Sequence, residues 1–189
     1  TGRIPVARTS KQKTLGVGII GCGNISSIYM RNMGSDELLD VFLATLPYLP
    51  NGEELTSRMT DERKAQLLAA MPGLKERAKT LVELADGAGF LFAERPLALD
   101  EKAAALLTVD GRAILAGAHE ALSGVRAPWS AAAEEAIRAF ATEKGLKLGA
   151  VAQPLRAALT GRSTSPGVFD VLAVLGREES LARIHDKID

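Results

Sequence analysis

The chain has 189 residues, 47% of them hydrophobic, so it is long enough to bury a core and short enough for one domain or two small ones. Its 23 basic side chains, lysine and arginine, balance its 23 acidic ones, which excludes a strong overall charge that would attract nucleic acid or membranes but leaves room for a local patch. Cys22 is the only cysteine, so no disulfide forms within the chain and a cytoplasmic location is expected. The longest apolar and glycine run, Leu15 to Gly23, is shorter than the roughly 20 residues of a membrane helix, so no membrane contact is expected.

The first element is a short apolar run, Leu15 to Ile20, the only strand-like run in the sequence. A glycine-rich turn follows at Gly21 and Gly23, where backbone amides could approach a pyrophosphate. A dinucleotide-binding unit also needs a second parallel strand and an acidic residue for the ribose, and neither follows. We therefore expect no cofactor, and Gly21 and Gly23 mark the site of an alternative NAD(P)-binding function.

Residues 14 to 32, TLGVGIIGCGNISSIYMRN, resemble the start of oxidoreductases of the glucose-fructose oxidoreductase and inositol dehydrogenase type. In that family the turn cradles the NAD(P) pyrophosphate. The resemblance covers about a tenth of the chain and stops before the second strand, the ribose-binding acid and the catalytic lysine motif of the family. It implies a truncated, foreign N-terminal extension over residues 1 to 34.

Helical patterns fill the next part of the chain. Three helices are predicted, over residues 35–46, 60–72 and 72–92. Ser35 is expected to cap the first helix, and Thr60 or Asp61 to begin the second. Pro72 is expected to end the second helix, and Gly87 and Gly89 to kink the third.

The remainder of the chain is also predicted to be helical. Six helices are predicted, over residues 100–107, 110–122, 130–144, 150–160, 166–175 and 178–188. Asp100 and Ser130 are expected to be N-caps, and Gly145, Gly161 and Gly176 follow apolar stripes as left-handed C-terminal glycines do. The segment 123–130 is the best candidate for a subdomain boundary. The predicted fold is therefore an all-α helical bundle in two subdomains, 35–125 and 126–189, after the extension 1–34.

Metal-binding and catalytic patterns are weak. His119 is followed by glutamate as in the HExxH motif, but the second ligand position is Ser123, and His185 and Cys22 add no ligand spacing. No nucleophile elbow or phosphate-binding loop gives Ser163 or Ser165 a catalytic setting. We therefore expect no metal and no catalytic residue.

The segment from Gly145 to Phe169 contains no acidic residue and carries Lys147, Arg156 and Arg162, which predicts a locally basic surface. Leu155, Ala158 and Leu159 form one helix face, so Arg156 is expected to point outward from the core. Ser165 is expected to cap a helix whose first residue is Pro166. Such a helix start can hold a phosphate or a base edge, although ordinary helix punctuation with surface arginines remains the alternative interpretation.

The same segment is similar to the C-terminal anticodon-binding region of bacterial glutamyl-tRNA synthetases. The shared motifs, in family order, are Gly145-Leu146-Lys147, Gln153-Pro154-Leu155-Arg156, Ala158-Leu159-Thr160-Gly161, Ser165-Pro166-Gly167 and Leu175-Gly176-Arg177. The similarity extends upstream through Trp129, KERAKTLVELADGAGFLF and ELLDVFLATLPYLP to about Glu37. It covers about four fifths of the chain.

The resemblance implies an all-helical domain that binds the anticodon of glutamate tRNA. It implies that Arg156 and the junction formed by Ser165, Pro166 and Val168 contact anticodon bases, and that Arg77 helps to read the first base. Lys147 and Arg162 are expected to hold phosphates.

The catalytic nucleotide fold of the family and its ATP motifs are absent from this sequence, so this chain is not expected to aminoacylate tRNA alone. An NAD(P)-binding oxidoreductase fragment and a helical protein-interaction module remain the alternatives.

Overall fold

The computed structural model describes residues 24–188, with side chains from Ile28 onward. This part of the chain is helical and contains no strand. Its helices are α1 (Asn24–Asn32), α2 (Ser35–Thr45), α3 (Gly52–Ser57), α4 (Asp61–Arg77), α5 (Leu81–Ala88), α6 (Glu101–Leu106), α7 (Val109–Ser123), α8 (Trp129–Glu143), α9 (Leu148–Thr160) and α10 (Val168–His185). Short 3-10 turns lie at Leu46–Tyr48 and Gly89–Leu91. The all-α prediction is confirmed, whereas the strand-like run at 15–20 lies outside the described residues.

One hydrophobic core connects the described helices. It extends from Met30 in α1 to Ile184 in α10, and its large side chains include Phe42, Met71 and Leu155. Burying a side chain of this size stabilises the fold by about 1.5–3 kcal/mol. Helix α10 packs against α4, α7, α8 and α9, so it joins the early helices of the chain to the late ones.

Helix α4 is longer than predicted, and the helix that follows it is shorter. Pro72 does not end α4, because it is exposed and its missing N–H costs one hydrogen bond that the packed helix tolerates. The chain leaves the helix at Ala78, and Thr80 caps α5 by accepting a hydrogen bond from the Glu83 N–H at 3.1 Å. The prediction of one helix from Pro72 to Phe92 is therefore wrong, and the Thr80-to-Glu83 cap is the signal that it overlooked.

Two other predicted caps are also wrong. Gly34 is the N-cap of α2 and makes no side-chain cap bond, so Ser35 is the first helical residue. Helix α8 begins at Trp129 after Pro128, which places Ser130 inside the helix. In both cases the serine lies one or two residues after the actual N-cap, which is the usual spread in the position of a helix end.

Several other helix signals agree with the structure, although α3 was not predicted. Thr60 caps α4, and Asp100 caps α6 by accepting a hydrogen bond from the Ala103 N–H at 2.6 Å. Gly161 has a φ of 73° and lies against the Ala98 carbonyl, where a Cβ would clash. Gly176, with a φ of 74°, interrupts α10 where two helices were predicted to meet.

The segment proposed as a subdomain boundary is tied to α10. Arg177 donates hydrogen bonds to the Ser123 and Val125 carbonyls, at 2.7 and 3.1 Å. The indole N–H of Trp129 donates to the Leu172 carbonyl at 2.8 Å. These bonds hold the loop between α7 and α8 in place, and the boundary itself stays a prediction.

Within residues 24–188, no helix combines the length and the apolar character that crossing a membrane requires.

Candidate nucleic-acid interface

The candidate interface lies where α4, α9 and the segment before α10 meet. Arg156 lies in α9 and is half-buried; its Nε donates a hydrogen bond to the Ser165 hydroxyl at 3.1 Å. That hydroxyl donates to the Pro166 carbonyl at 2.8 Å. Arg156 thus lies off the buried face of α9, as expected, but it is not free, because the chain after α9 folds back and fixes the arginine by its Nε.

A second arginine lies near the first. Burial lowers the pKa of the Arg156 guanidinium, and the positive charge of Arg77 at the end of α4 lowers it further. Arg156 keeps its positive charge at neutral pH despite this decrease, because a guanidinium does not lose its proton in proteins. In the described part of the chain, neither group has a carboxylate within ion-pair distance. Two guanidinium groups without a carboxylate partner favour an anionic or hydrogen-bond-accepting ligand.

The junction before α10 differs from the predicted cap. Gly167 is the N-cap of α10 and Val168 its first residue, so Ser165 does not cap the helix and Pro166 does not begin it. The Ser165 hydroxyl is instead engaged by Arg156 and the Pro166 carbonyl. Ser165, Pro166 and Val168 are buried, so they offer little surface to a ligand and instead support the position of Arg156.

The two predicted phosphate contacts lie at opposite ends of α9. Lys147 precedes the helix and is exposed, whereas Arg162 follows its end. A helix of this length spans about 20 Å. Arg162 forms an ion pair with Asp86 of α5. The structure thus brings Arg77 and Arg156 together with the 165–166 segment and leaves Lys147 apart from them.

Sequence reasoning missed two neighbours of this site. Asp86 neutralises Arg162, yet 76 residues separate them in the chain. Gly73 of α4 lies against Pro166, with an ideal Cβ at Gly73 only 3.2 Å from the Pro166 Cβ. Neither contact leaves a local pattern, since each depends on how α4 and α5 dock against the end of α9.

The other candidate sites have less structural support. Gly21 and Gly23 lie outside the described residues. The His119 and His185 rings lie near each other, with centroids 5.8 Å apart and ring planes inclined by 40°. In the described residues no three histidine, cysteine or acidic side chains form a group that could hold a metal ion.

Comparison with known proteins gives a consistent result over most of the chain. Residues 38–188 match the model of the anticodon binding domain. Glutamate–tRNA ligase 1 of Mesorhizobium japonicum is 67% identical over 166 residues, which cover 87% of this chain and 35% of that protein. Glutamate–tRNA ligase 2 of Brucella ovis is 62% identical over 165 residues, with the same coverage.

A solved structure shows the same fold. A glutamate tRNA ligase from Elizabethkingia meningosepticum superposes with a TM-score of 0.68 at 28% identity, over 86% of this chain and 30% of that one. The present chain thus spans about a third of the length of the curated relatives it matches. The matched residues and the shared fold lead to one conclusion: the chain belongs to the anticodon-binding-domain family, in the form that glutamate–tRNA ligases contain.

Proposed function

We propose that this domain binds the anticodon arm of glutamate tRNA and that Arg156 contacts an anticodon base. The observation that carries the proposal is the pair of guanidinium groups, Arg77 and Arg156, beside a buried segment that holds Arg156 by its Nε. Fixing Nε leaves the terminal nitrogens to donate, and a guanidinium fork of this kind distinguishes bases by their acceptor pattern. Arg77 is proposed to read a neighbouring base.

The partners follow from the relatives. They are named as ligases of glutamate and tRNA, so we assign to this chain the tRNA-recognition part of such an enzyme and to the remainder of the enzyme the aminoacylation chemistry. The isolated chain then binds tRNA without charging it. The proposed location is the cytoplasm, and the proposed units are 1–34, 35–125 and 126–189.

Phosphate contacts complete the proposed interface. The backbone segment at 165–168 lies beside Arg156, and Lys147 presents an exposed ammonium group at the start of α9. Phosphate contacts add affinity that is independent of sequence and sensitive to salt, whereas base contacts add selectivity. Arg156 and Lys147 should therefore affect binding in different ways.

The experiment measures binding of labelled glutamate tRNA and of the same tRNA with a swapped anticodon, over a salt series. Arg156→Ala should cost about 1–3 kcal/mol with the glutamate anticodon and narrow the difference between the two tRNAs. Lys147→Ala serves as the matched control. It should weaken the binding of both tRNAs alike and reduce the slope of log binding constant against log salt concentration by about 1.

The contrast between the two variants decides the assignment. If Arg156→Ala weakens the binding of both tRNAs equally and leaves the anticodon preference intact, Arg156 is a phosphate contact. A wild-type chain that binds both tRNAs equally would overturn anticodon recognition itself.

A further inference from the structure

Gly73 of α4 packs directly against the segment that holds Arg156. An ideal Cβ at Gly73 would lie 3.2 Å from the Cβ of Pro166 and 3.6 Å from a carboxylate oxygen of Asp170. The first distance is shorter than ordinary van der Waals contact between carbon atoms. Because Pro166 is a buried ring, it cannot rotate away as a flexible side chain would.

The contact connects the two arginines through a short path. Arg77 lies four residues after Gly73, one helical turn further along the same face of α4. On the other side of the contact, Pro166 follows Ser165, whose hydroxyl accepts the Arg156 Nε hydrogen bond. The packing of Gly73 on Pro166 therefore sets the distance between the helix that carries Arg77 and the segment that fixes Arg156.

We infer that Gly73 is a positioning residue for anticodon recognition: its missing side chain holds α4 against Pro166 so that Arg77 and Arg156 face neighbouring bases in a fixed register. The inference rests on the proposed function, because it assigns a role within that same interface. A Cβ at this position separates the two elements by a few tenths of an ångström or more. Bidentate recognition of a base depends on such distances, whereas a phosphate contact tolerates them.

The test uses the full chain with Gly73→Ala and Gly73→Val, and with Gly87→Ala as the matched control. A Cβ at Gly87 would lie at the same 3.2 Å from its neighbour, but that neighbour is the flexible end of Leu74. Both positions are helical, and alanine favours a helix over glycine, so the alanine variants should stay folded. Thermal midpoints establish that each variant is folded at the temperature of the binding assay.

The expected result is a loss of selectivity that increases with side-chain size. Gly73→Ala should reduce the affinity ratio between the glutamate and swapped anticodons several-fold, and Gly73→Val should reduce it by about tenfold, with the salt slope unchanged. Gly87→Ala should leave the ratio as it is. In an Arg77→Ala background, Gly73→Ala should have a smaller effect on the ratio than in the wild type, since the two residues act together.

Two outcomes separate this inference from the function it rests on. If the wild-type chain prefers the glutamate anticodon and both folded Gly73 variants keep the full preference, Gly73 is not a positioning residue. If the wild-type chain shows no preference, the proposed function fails and the inference fails with it. A parallel loss of affinity for both tRNAs, with the ratio unchanged, would also overturn the inference.

Discussion

Arg183 provides the sharpest test of how the bundle is held together. Its side chain is 1% exposed, in the second half of α10. Nη1 donates to the Phe90 carbonyl at 2.9 Å and to the Leu159 carbonyl at 2.8 Å, and Nε donates to Glu179 at 2.6 Å. One guanidinium thus joins α10 to the end of α9 and to the 3-10 turn after α5.

The cost of removing this group can be worked out from those bonds. Arg183→Met keeps most of the buried volume but leaves the Phe90 and Leu159 carbonyls without this donor. An unsatisfied buried acceptor costs about 1–3 kcal/mol, and part of that is returned because the guanidinium no longer needs to be desolvated. We therefore expect Arg183→Met to lower the free energy of unfolding by about 2–4 kcal/mol.

The assay is urea unfolding followed by circular dichroism, with Arg95→Ala as a control. Arg95 also pairs with an acid, Asp186, which is the C-cap of α10, at 2.8 Å, but the Arg95 side chain is 38% exposed, so its loss should cost about 1 kcal/mol or less. An unchanged m-value would show that Arg183→Met alters stability and not the compactness of either state. The reasoning is refuted if Arg183→Met is as stable as the wild type, because the two carbonyls would then have found other donors.

Three further predictions concern pH, the N-terminal residues and the ion pair between Arg162 and Asp86. Burial, and secondarily the charge of His185, lower the pKa of His119, so the unfolded chain takes up this proton at a higher pH than the folded chain. The contribution of His119 to the free energy of unfolding should be fully present above about pH 6.5 and should be lost as the pH drops below that value, so stability should fall less steeply in His119→Asn. Equal pH slopes in the two chains would contradict the assignment to His119. Deleting residues 1–23 should leave the thermal midpoint nearly unchanged, because the core of the described helices begins at Met30, and a large decrease would show that this stretch contributes to the core. Asp86→Asn should strengthen tRNA binding and steepen its salt dependence by releasing Arg162. The gain should disappear in an Arg162→Ala background, and a gain that persists there would mean that Arg162 makes no phosphate contact.

The helices could be predicted because their signals are local. Caps such as Asp100 act on N–H groups three residues away, and C-terminal glycines such as Gly161 act within one turn. The errors occurred where two local signals competed. Pro72 indicates a helix end that tertiary packing overrides, and the apolar stripe around Thr80 hides the helix start that this residue caps.

The candidate site could be predicted only in part, because it joins residues that are distant in the chain. The acid-free stretch identified Arg156 and Ser165, which lie nine residues apart and form a hydrogen bond. Their relation to Arg77 depends on the docking of α4, which no periodicity encodes. Burial changes the chemistry as well, because an arginine held by its Nε presents one fixed edge, whereas the freely exposed arginine expected from the sequence would present many. Selectivity for a base is favoured by a fixed edge, so the feature that could not be predicted is the one on which the proposed anticodon recognition depends.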